Sequence, residues 1–422
     1  MASRPPSATG ALTGLAGILA LGAVVLLLRD WLQPSYIKAL AGLGIAAAAM
    51  IVVEVAVYGT HRNAGTGLAP APLRPLDWRR IGCKVLGLWL SCGLAALPYW
   101  FIPEFAREFF QPFRAAALFV LPGLVIISPA YVVYVDRRQR DPEDALAQLG
   151  ALVLGRAPAD TGQLWAHARG WAIKAFFLPL MFVSVTDTLR GLWSTPLLPT
   201  PLDFEHVFPR LVDLLYLIDV FLATIAYALT LRPLDSHNRS AEPSVAGWVV
   251  CLALYPPFNT ITGQILPYDQ DGLFWDRVCA PYPALYVLWG TAILILVAIY
   301  AGSTAAFGLR FSNLTHRGII TSGPYRWSKH PAYICKNISW WMISVPFIAG
   351  AGWAQAVQSC LLLGGVNLIY FLRARTEERH LSRDPVYREY AAFIAQHGLL
   401  ASATRAIAGT KVRLAARLRS PA

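Results

Sequence analysis

The sequence predicts an all-α protein, a polytopic membrane helix bundle of about ten transmembrane helices with both termini on the cytoplasmic side. Three observations carry this. Of 422 residues, 56% are hydrophobic and 14% charged, which is more apolar surface than one soluble core of that length would bury. The apolar residues come in stretches of about twenty, the length a helix needs to cross roughly 30 Å of hydrocarbon with its backbone hydrogen bonds satisfied internally. Lys and Arg concentrate in alternate connections between those stretches.

The stretches follow in order. The first, 8–28, belongs to the serial pattern and has no small-residue cleavage site after Arg29, so it reads as a span and not as a cleaved signal. Spans at 37–58, 85–103 and 115–135 complete an N-terminal region, residues 1–165, whose role the sequence leaves open. Within it, "DRRQRDPEDALAQLGALVLGRAPADTG" starts at an Asp141-Pro142 pair and has the apolar spacing of a short interfacial helix. Residues 166–422 hold spans at 170–189, 211–230, 245–265, 284–302, 333–349 and 354–372, together with the residues that carry chemistry. The last two spans are joined by "VPFIAGAGWAQA", which has no charge and several small residues, and so predicts a tight antiparallel hairpin.

Counting Lys and Arg over the connections gives 28 on the side of the N-terminus and 7 on the other, which predicts cytoplasmic termini. The same distribution accounts for the formal charge of +12: the cations meet anionic headgroups, and no nucleic-acid recognition signature accompanies them. The six cysteines have no metal-ligand or redox spacing, so no metal is expected. Gly42 and Gly44 lie inside an apolar span and follow no strand, which favours helix packing over dinucleotide binding. Asn238-Arg239-Ser240 has the form of a glycosylation acceptor but falls on the cytoplasmic side of this topology. Glu54, Lys174, Asp187, Asp213 and Asp219 lie within or near spans, where an ionisable group is costly unless paired or hydrated. Asp219 either lines a cavity or hydrogen-bonds a neighbouring helix.

Between spans eight and nine stands "GIITSGPYRWSKHPAYICKNISWW". Gly323-Pro324 and His330-Pro331 are breaker pairs that fix turns and keep backbone groups out of helix. Tyr325, Trp327, Tyr333, Trp340 and Trp341 interleave with Arg326, Lys329, His330 and Lys336, as in an interfacial belt or a pocket that stacks a flat or cationic ligand. Span ten ends in "IYFLRARTEERHLSRDPVYREYAAF", and the hairpin brings its Glu377-Glu378 pair back beside the His330-Pro331 turn across 47 residues of sequence.

Gly-Pro-Tyr-Arg, a basic residue with His-Pro-x-Tyr, a hairpin, and Arg-x-Arg-Thr-Glu-Glu with Leu381 and Tyr387/Tyr390 behind it resemble the isoprenylcysteine carboxyl methyltransferase family and its phospholipid-methyltransferase relatives, over residues 303–395. The resemblance implies S-adenosylmethionine in a cytoplasm-facing pocket of a cell (inner) membrane protein, and a lipophilic, prenylated or lipid acceptor that enters from the bilayer. It implies cofactor contacts from Tyr325, Lys329, His330, Pro331, Tyr333, Glu377 and Glu378, with Arg375 and His330 as candidate catalytic residues. Two departures stand out. Lys329 replaces the Arg usual before His-Pro, which loses the bidentate fork, and Ile334-Cys335 follows Tyr333 where a Gly is common.

Methyl transfer from a sulfonium is in-line displacement, so the protein's main task is alignment within about 3–3.5 Å in a dry site. A carboxylate acceptor is already ionised and needs no base; an amine or thiol must lose a proton, and His330 or a glutamate is the candidate base. A membrane NADPH-dependent sterol-type reductase reuses a basic His-Pro turn, although a 2′-phosphate would call for a denser Arg cluster. A transporter or scaffold is the non-enzymatic alternative. The end of the chain, "LLASATRAIAGTKVRLAARLRSPA", predicts a basic amphipathic segment on the inner leaflet.

Overall fold

The computed structural model describes residues 3–156, 159–270, 272–348, 350, 352–399 and 401. The expected amphipathic tail, residues 402–422, lies outside them. The principal helices are α1 (Ala11–Leu27), α2 (Ser35–Val52), α3 (Trp78–Ala96), α4 (Gln111–Arg138), α5 (Ala145–Val153), α6 (Thr161–Trp193), α7 (Phe204–Ala228), α8 (Val245–Leu252), α9 (Phe258–Ile265), α10 (Pro283–Phe307), α11 (Pro331–Ser344), α12 (Trp353–Leu381) and α13 (Pro385–His397). Strand among the described residues amounts to a two-residue pair, β1 (Ser240–Ala241) antiparallel to β2 (Thr315–His316).

Short polar side chains start many of these helices by accepting the first free amide hydrogens. Asp77, Asp144, Asp160, Asp203, Ser244 and Asp384 cap α3, α5, α6, α7, α8 and α13 in this way. Among the described residues seven helices are long and apolar enough to cross a membrane, which makes this an integral membrane protein.

The expected ten spans are altered in three places. The 245–265 stretch is not one helix but two of eight residues each, α8 and α9, because Pro256 and Pro257 interrupt it and lack amide hydrogens to donate. Helix α11 has 14 residues and α1 has 17, about 21 and 25 Å, so each falls short of the full hydrocarbon thickness.

Leu217, Phe221 and Leu222 of α7 are fully buried against Val185 and Leu189 of α6 and Met50 of α2, which makes α7 the centre of the bundle. The short helix expected in this connection is present as α5, and it lies directly on α3. A Cβ on Gly150 would stand 1.9 Å from the Cys83 carbonyl oxygen, and one on Gly87 would stand 2.2 Å from that of Leu146. Only glycine permits that approach. Buried Lys84 of α3 closes the contact with ion pairs to Asp136 at 3.0 Å and Asp144 at 3.4 Å.

The Lys- and Arg-rich connections meet at one end of the bundle. Residues 5–9 cross the 317–322 segment: the Ala8 amide donates to the Ile319 carbonyl at 2.9 Å, and the Thr321 hydroxyl to the Pro5 carbonyl at 2.9 Å. Below them Glu54, in a π-helical turn that extends α2, accepts from Arg310 at 3.2 Å, from Thr9 at 2.6 Å and from Thr13 at 2.9 Å. Of the other flagged ionisable groups, Asp213 is exposed and Asp187 pairs with Arg190, while Lys174 donates to the Ala228 carbonyl at 3.3 Å. Asp219 is buried and accepts from Tyr300, at 2.6 Å, and from Thr304, both on α10, so it joins α7 to α10.

Candidate functional site

The loop before α11 is shaped by its breakers. Gly323 takes a φ of +59°, a conformation favouring glycine, and opens a tight turn through Arg326. Pro331 then occupies the first turn of α11, where a missing amide hydrogen costs nothing, and His330 sits at the helix entrance. Opposite, α12 runs on past the predicted end at 372 to Leu381, so Arg373, Arg375, Glu377 and Glu378 occupy its last turns.

The hairpin brings these groups together. His330 Nε2 lies 3.1 Å from Glu378 Oε1, Lys329 Nζ lies 2.5 Å from the same oxygen, and Arg375 is 3.7 Å from Glu378 Oε2. The Tyr333 hydroxyl donates to Glu377 at 2.9 Å, and the His330 and Tyr333 rings stack at 5.4 Å. The two acids therefore have different surroundings. Glu378 is ringed by Lys329, His330 and Arg375, whereas Glu377, 40% exposed, has its closest basic neighbour in His330 at 4.0 Å. An oxygen already held by lysine and histidine is poorly placed to take a second cation, so Glu377 is the carboxylate still available to a ligand.

Tyr325 lies apart from this group. It is buried with Ile319, Ile320, Tyr387 and Tyr390, its ring edge-on to Phe307 at 5.1 Å, and its carbonyl accepts the Tyr390 hydroxyl at 2.7 Å. Burial raises the Tyr390 phenol well above its ordinary range, so it stays a neutral donor that ties α13 to the loop. The departure at Ile334-Cys335 is accommodated: Ile334 turns outward and Cys335 fits the buried position. Neither glutamate pairs with Arg373 or Arg379 of the same helix. Arg373 turns inward and Arg379 donates to Ser244.

A cleft opens beside Glu377, lined by Glu242, Cys251, Asn313, Tyr333, Arg373 and His380 among others. Arg373 is buried there, donates to Asn313 at 2.6 Å, and lies 5.0, 5.6 and 6.0 Å from the ring centres of Tyr333, Tyr255 and Tyr370. His380 contacts Glu242 at 3.3 Å and Ser240 at 2.8 Å. The sequence puts Arg373 at the mouth with Arg375, Glu377 and Glu378 but assigns it no role, and it does not point to Asn313, Glu242 or His380. One signal was available: Arg373, Glu377 and His380 recur at four and three residues and so share one face of α12, while Glu378 looks elsewhere.

Residues 284–383 match the model of the isoprenylcysteine carboxyl methyltransferase (ICMT) family. That segment contains α10, the loop, α11 and α12, and so the convergence just described, whereas Glu242 comes from outside it. No curated protein and no solved structure matches the chain.

Proposed function

Taking residues 284–383 as the methyltransferase-family segment of an integral membrane protein, we propose that the chain transfers a methyl group from S-adenosylmethionine to a lipophilic acceptor that enters from the bilayer, with its mouth on the cytoplasmic side. The observation that carries this reading is the cleft at the end of α12, where an available carboxylate, a buried guanidinium and aromatic rings stand together. The chemistry of this set fits a cofactor with an ammonium, a carboxylate and a sulfonium. Glu377 takes the ammonium, Arg373 and the Tyr333 and Tyr370 rings face the opposite charge and the sulfonium, and Lys329, His330 and Arg375 hold Glu378 and so fix the loop against α12.

When bound, the cofactor supplies an electrophilic methyl group on a positive sulfur. The residues then hold donor and acceptor in line and keep water away, which is where proximity contributes most. The two carboxylates at the cleft, Glu242 and Glu377, disfavour the 2′-phosphate of NADPH and with it the reductase reading. Orientation rests on the excess of Lys and Arg at the end of the bundle that carries the cleft. The test is to incubate purified protein with adenosylmethionine and membrane lipid extract, then search by mass spectrometry for species heavier by one methyl group. Extracts that gain no such species with active protein refute the proposal.

A further inference from the structure

Charged groups inside a membrane bundle are expensive and are kept with partners. Most cations embedded in this one obey the rule. Lys38 donates to the Arg29 carbonyl, Lys84 pairs with Asp136, and Lys174 donates to Ala228. Arg310 pairs with Glu54, Arg317 donates to Asn238, and Arg373 donates to Asn313. Lys336 is different. It lies half-buried in α11, six residues beyond His330 and so about 9 Å along the helix from the mouth. Among the described residues its ammonium has no carboxylate within ion-pair distance and no hydrogen-bond acceptor. It rests instead at 5.1 Å from the Tyr300 ring centre and 5.6 Å from that of Trp340.

Its position ties it to the cleft. Tyr333, Lys336 and Trp340, spaced three and four apart, share one face of α11. Tyr333 and Trp340 both pack edge-on against Tyr370 of α12, at 5.5 and 5.2 Å, and Tyr300 belongs to α10. Lys336 thus stands where α10, α11 and α12 meet, below Glu377. Asp219 attracts the ammonium through space but lies beyond ion-pair distance, and its oxygens are already taken by the Tyr300 and Thr304 hydroxyls.

We propose that Lys336 is the specificity-determining residue for the acceptor: it binds the anionic oxygen of a lipophilic ligand whose hydrocarbon lies against the Tyr300, Trp340 and Tyr370 rings. This rests on the methyltransferase reading above and goes further by selecting a ligand class. One ammonium balances one negative charge and attracts a carboxylate or a phosphodiester, whereas it repels an ammonium-bearing acceptor. For a carboxylate that is itself the acceptor, the oxygen forms a bond to the methyl carbon, the carbon–sulfur bond breaks, its electron pair stays on sulfur, and no proton is released.

The test is equilibrium binding to full-length protein in neutral detergent, using radiolabelled N-acetyl-S-farnesylcysteine, its methyl ester and a short-chain phosphatidylglycerol as probes. Wild-type protein is expected to hold an anionic probe about tenfold or more tighter than the neutral ester, as one charge-assisted contact provides. Lys336→Met removes that difference, Lys336→Arg keeps it, and adenosylmethionine binding stays unchanged in both. Preference for the free acid identifies a carboxylate ligand, and preference for phosphatidylglycerol identifies a lipid headgroup as the source of the anion. Lys336→Met leaves Asp219 with its two hydroxyl donors but no nearby cation, so a thermal unfolding curve checks that the variant folds, and Lys336→Arg, which keeps the charge, is the folded comparison. Wild-type protein that holds neither anionic probe tighter than the neutral ester, or unchanged affinity for the preferred anion in Lys336→Met, overturns the proposal. Loss of the function reading is seen separately, as wild-type protein that binds no adenosylmethionine.

Discussion

Replacing Glu54 by Gln removes one half of a fully buried ion pair, since Glu54 and Arg310 side chains both have 0% exposure. The amide keeps a hydrogen-bonding oxygen for Thr9 and Thr13 but cannot neutralise Arg310, which is left with Asp235 at 3.8 Å. Breaking a buried pair on one side costs about 3–5 kcal/mol, and the residual attraction of Asp235 places this variant near the lower end, about 3 kcal/mol. The effect should reach the cleft, because Arg310 immediately precedes the loop and residues 5–9 cross it. Thermal unfolding in detergent and adenosylmethionine affinity are the assays, and both should fall. A Glu54→Leu/Arg310→Met double variant should recover part of the loss, since Glu54 Oε2 and Arg310 Nη2 find no hydrogen-bond partner among the described residues and the unpaired buried charge is gone, while the Thr9 and Thr13 hydroxyls lose their acceptor. Glu54→Gln protein as stable as wild type would refute the reasoning.

Three further outcomes are expected. Glu377→Gln should weaken adenosylmethionine binding more than Glu378→Gln does, with about 1.5–3 kcal/mol lost for the former, and isothermal binding to both variants decides whether Glu377 is the available acid. Gly150→Ala should push α5 off α3 and lower the unfolding temperature, a cost of about 1–3 kcal/mol, whereas Gly155→Ala, with open space around its Cβ but a φ of +63°, should cost about 1 kcal/mol. Burial pulls the His316 imidazole down to about 4, against the attraction of Asp384 at 3.2 Å. Its folded-state value lies below the ordinary 6.5 or so, so its contribution is complete above that pH and is lost as pH falls toward 4, about 3 kcal/mol in all. Unfolding midpoints measured from pH 7 to pH 4 should show this slope, and His316→Gln should reduce it.

Much of this architecture was legible because membrane helices are written in long apolar runs. The failures came where a run is interrupted by chemistry that hydropathy averages away: Pro256-Pro257 inside 245–265 splits one expected span into two short helices. At the site, the juxtaposition of His330 and Glu378 is legible in the sequence, since an uncharged short connection leaves two helices little choice but to run back antiparallel. Tyr325 could not be placed that way. Its motif position marks the loop, but whether its ring faces the cleft or the Tyr387/Tyr390 cluster depends on how α13 folds back. Glu242 was invisible for a similar reason, as it reaches the cleft through the pairing of β1 with β2, which two residues of strand do not announce. The work of the N-terminal helices was equally hidden. Glu54 was conspicuous as an acid in an apolar run, but its partner Arg310 lies 256 residues away.

The central claim is tested most directly by equilibrium binding of radiolabelled S-adenosylmethionine and of NADPH to the purified full-length protein in detergent, with Glu377→Gln measured alongside. The account predicts saturable adenosylmethionine binding that the variant weakens, and no saturable binding of NADPH. Tight NADPH binding, or adenosylmethionine binding indifferent to Glu377, would contradict it.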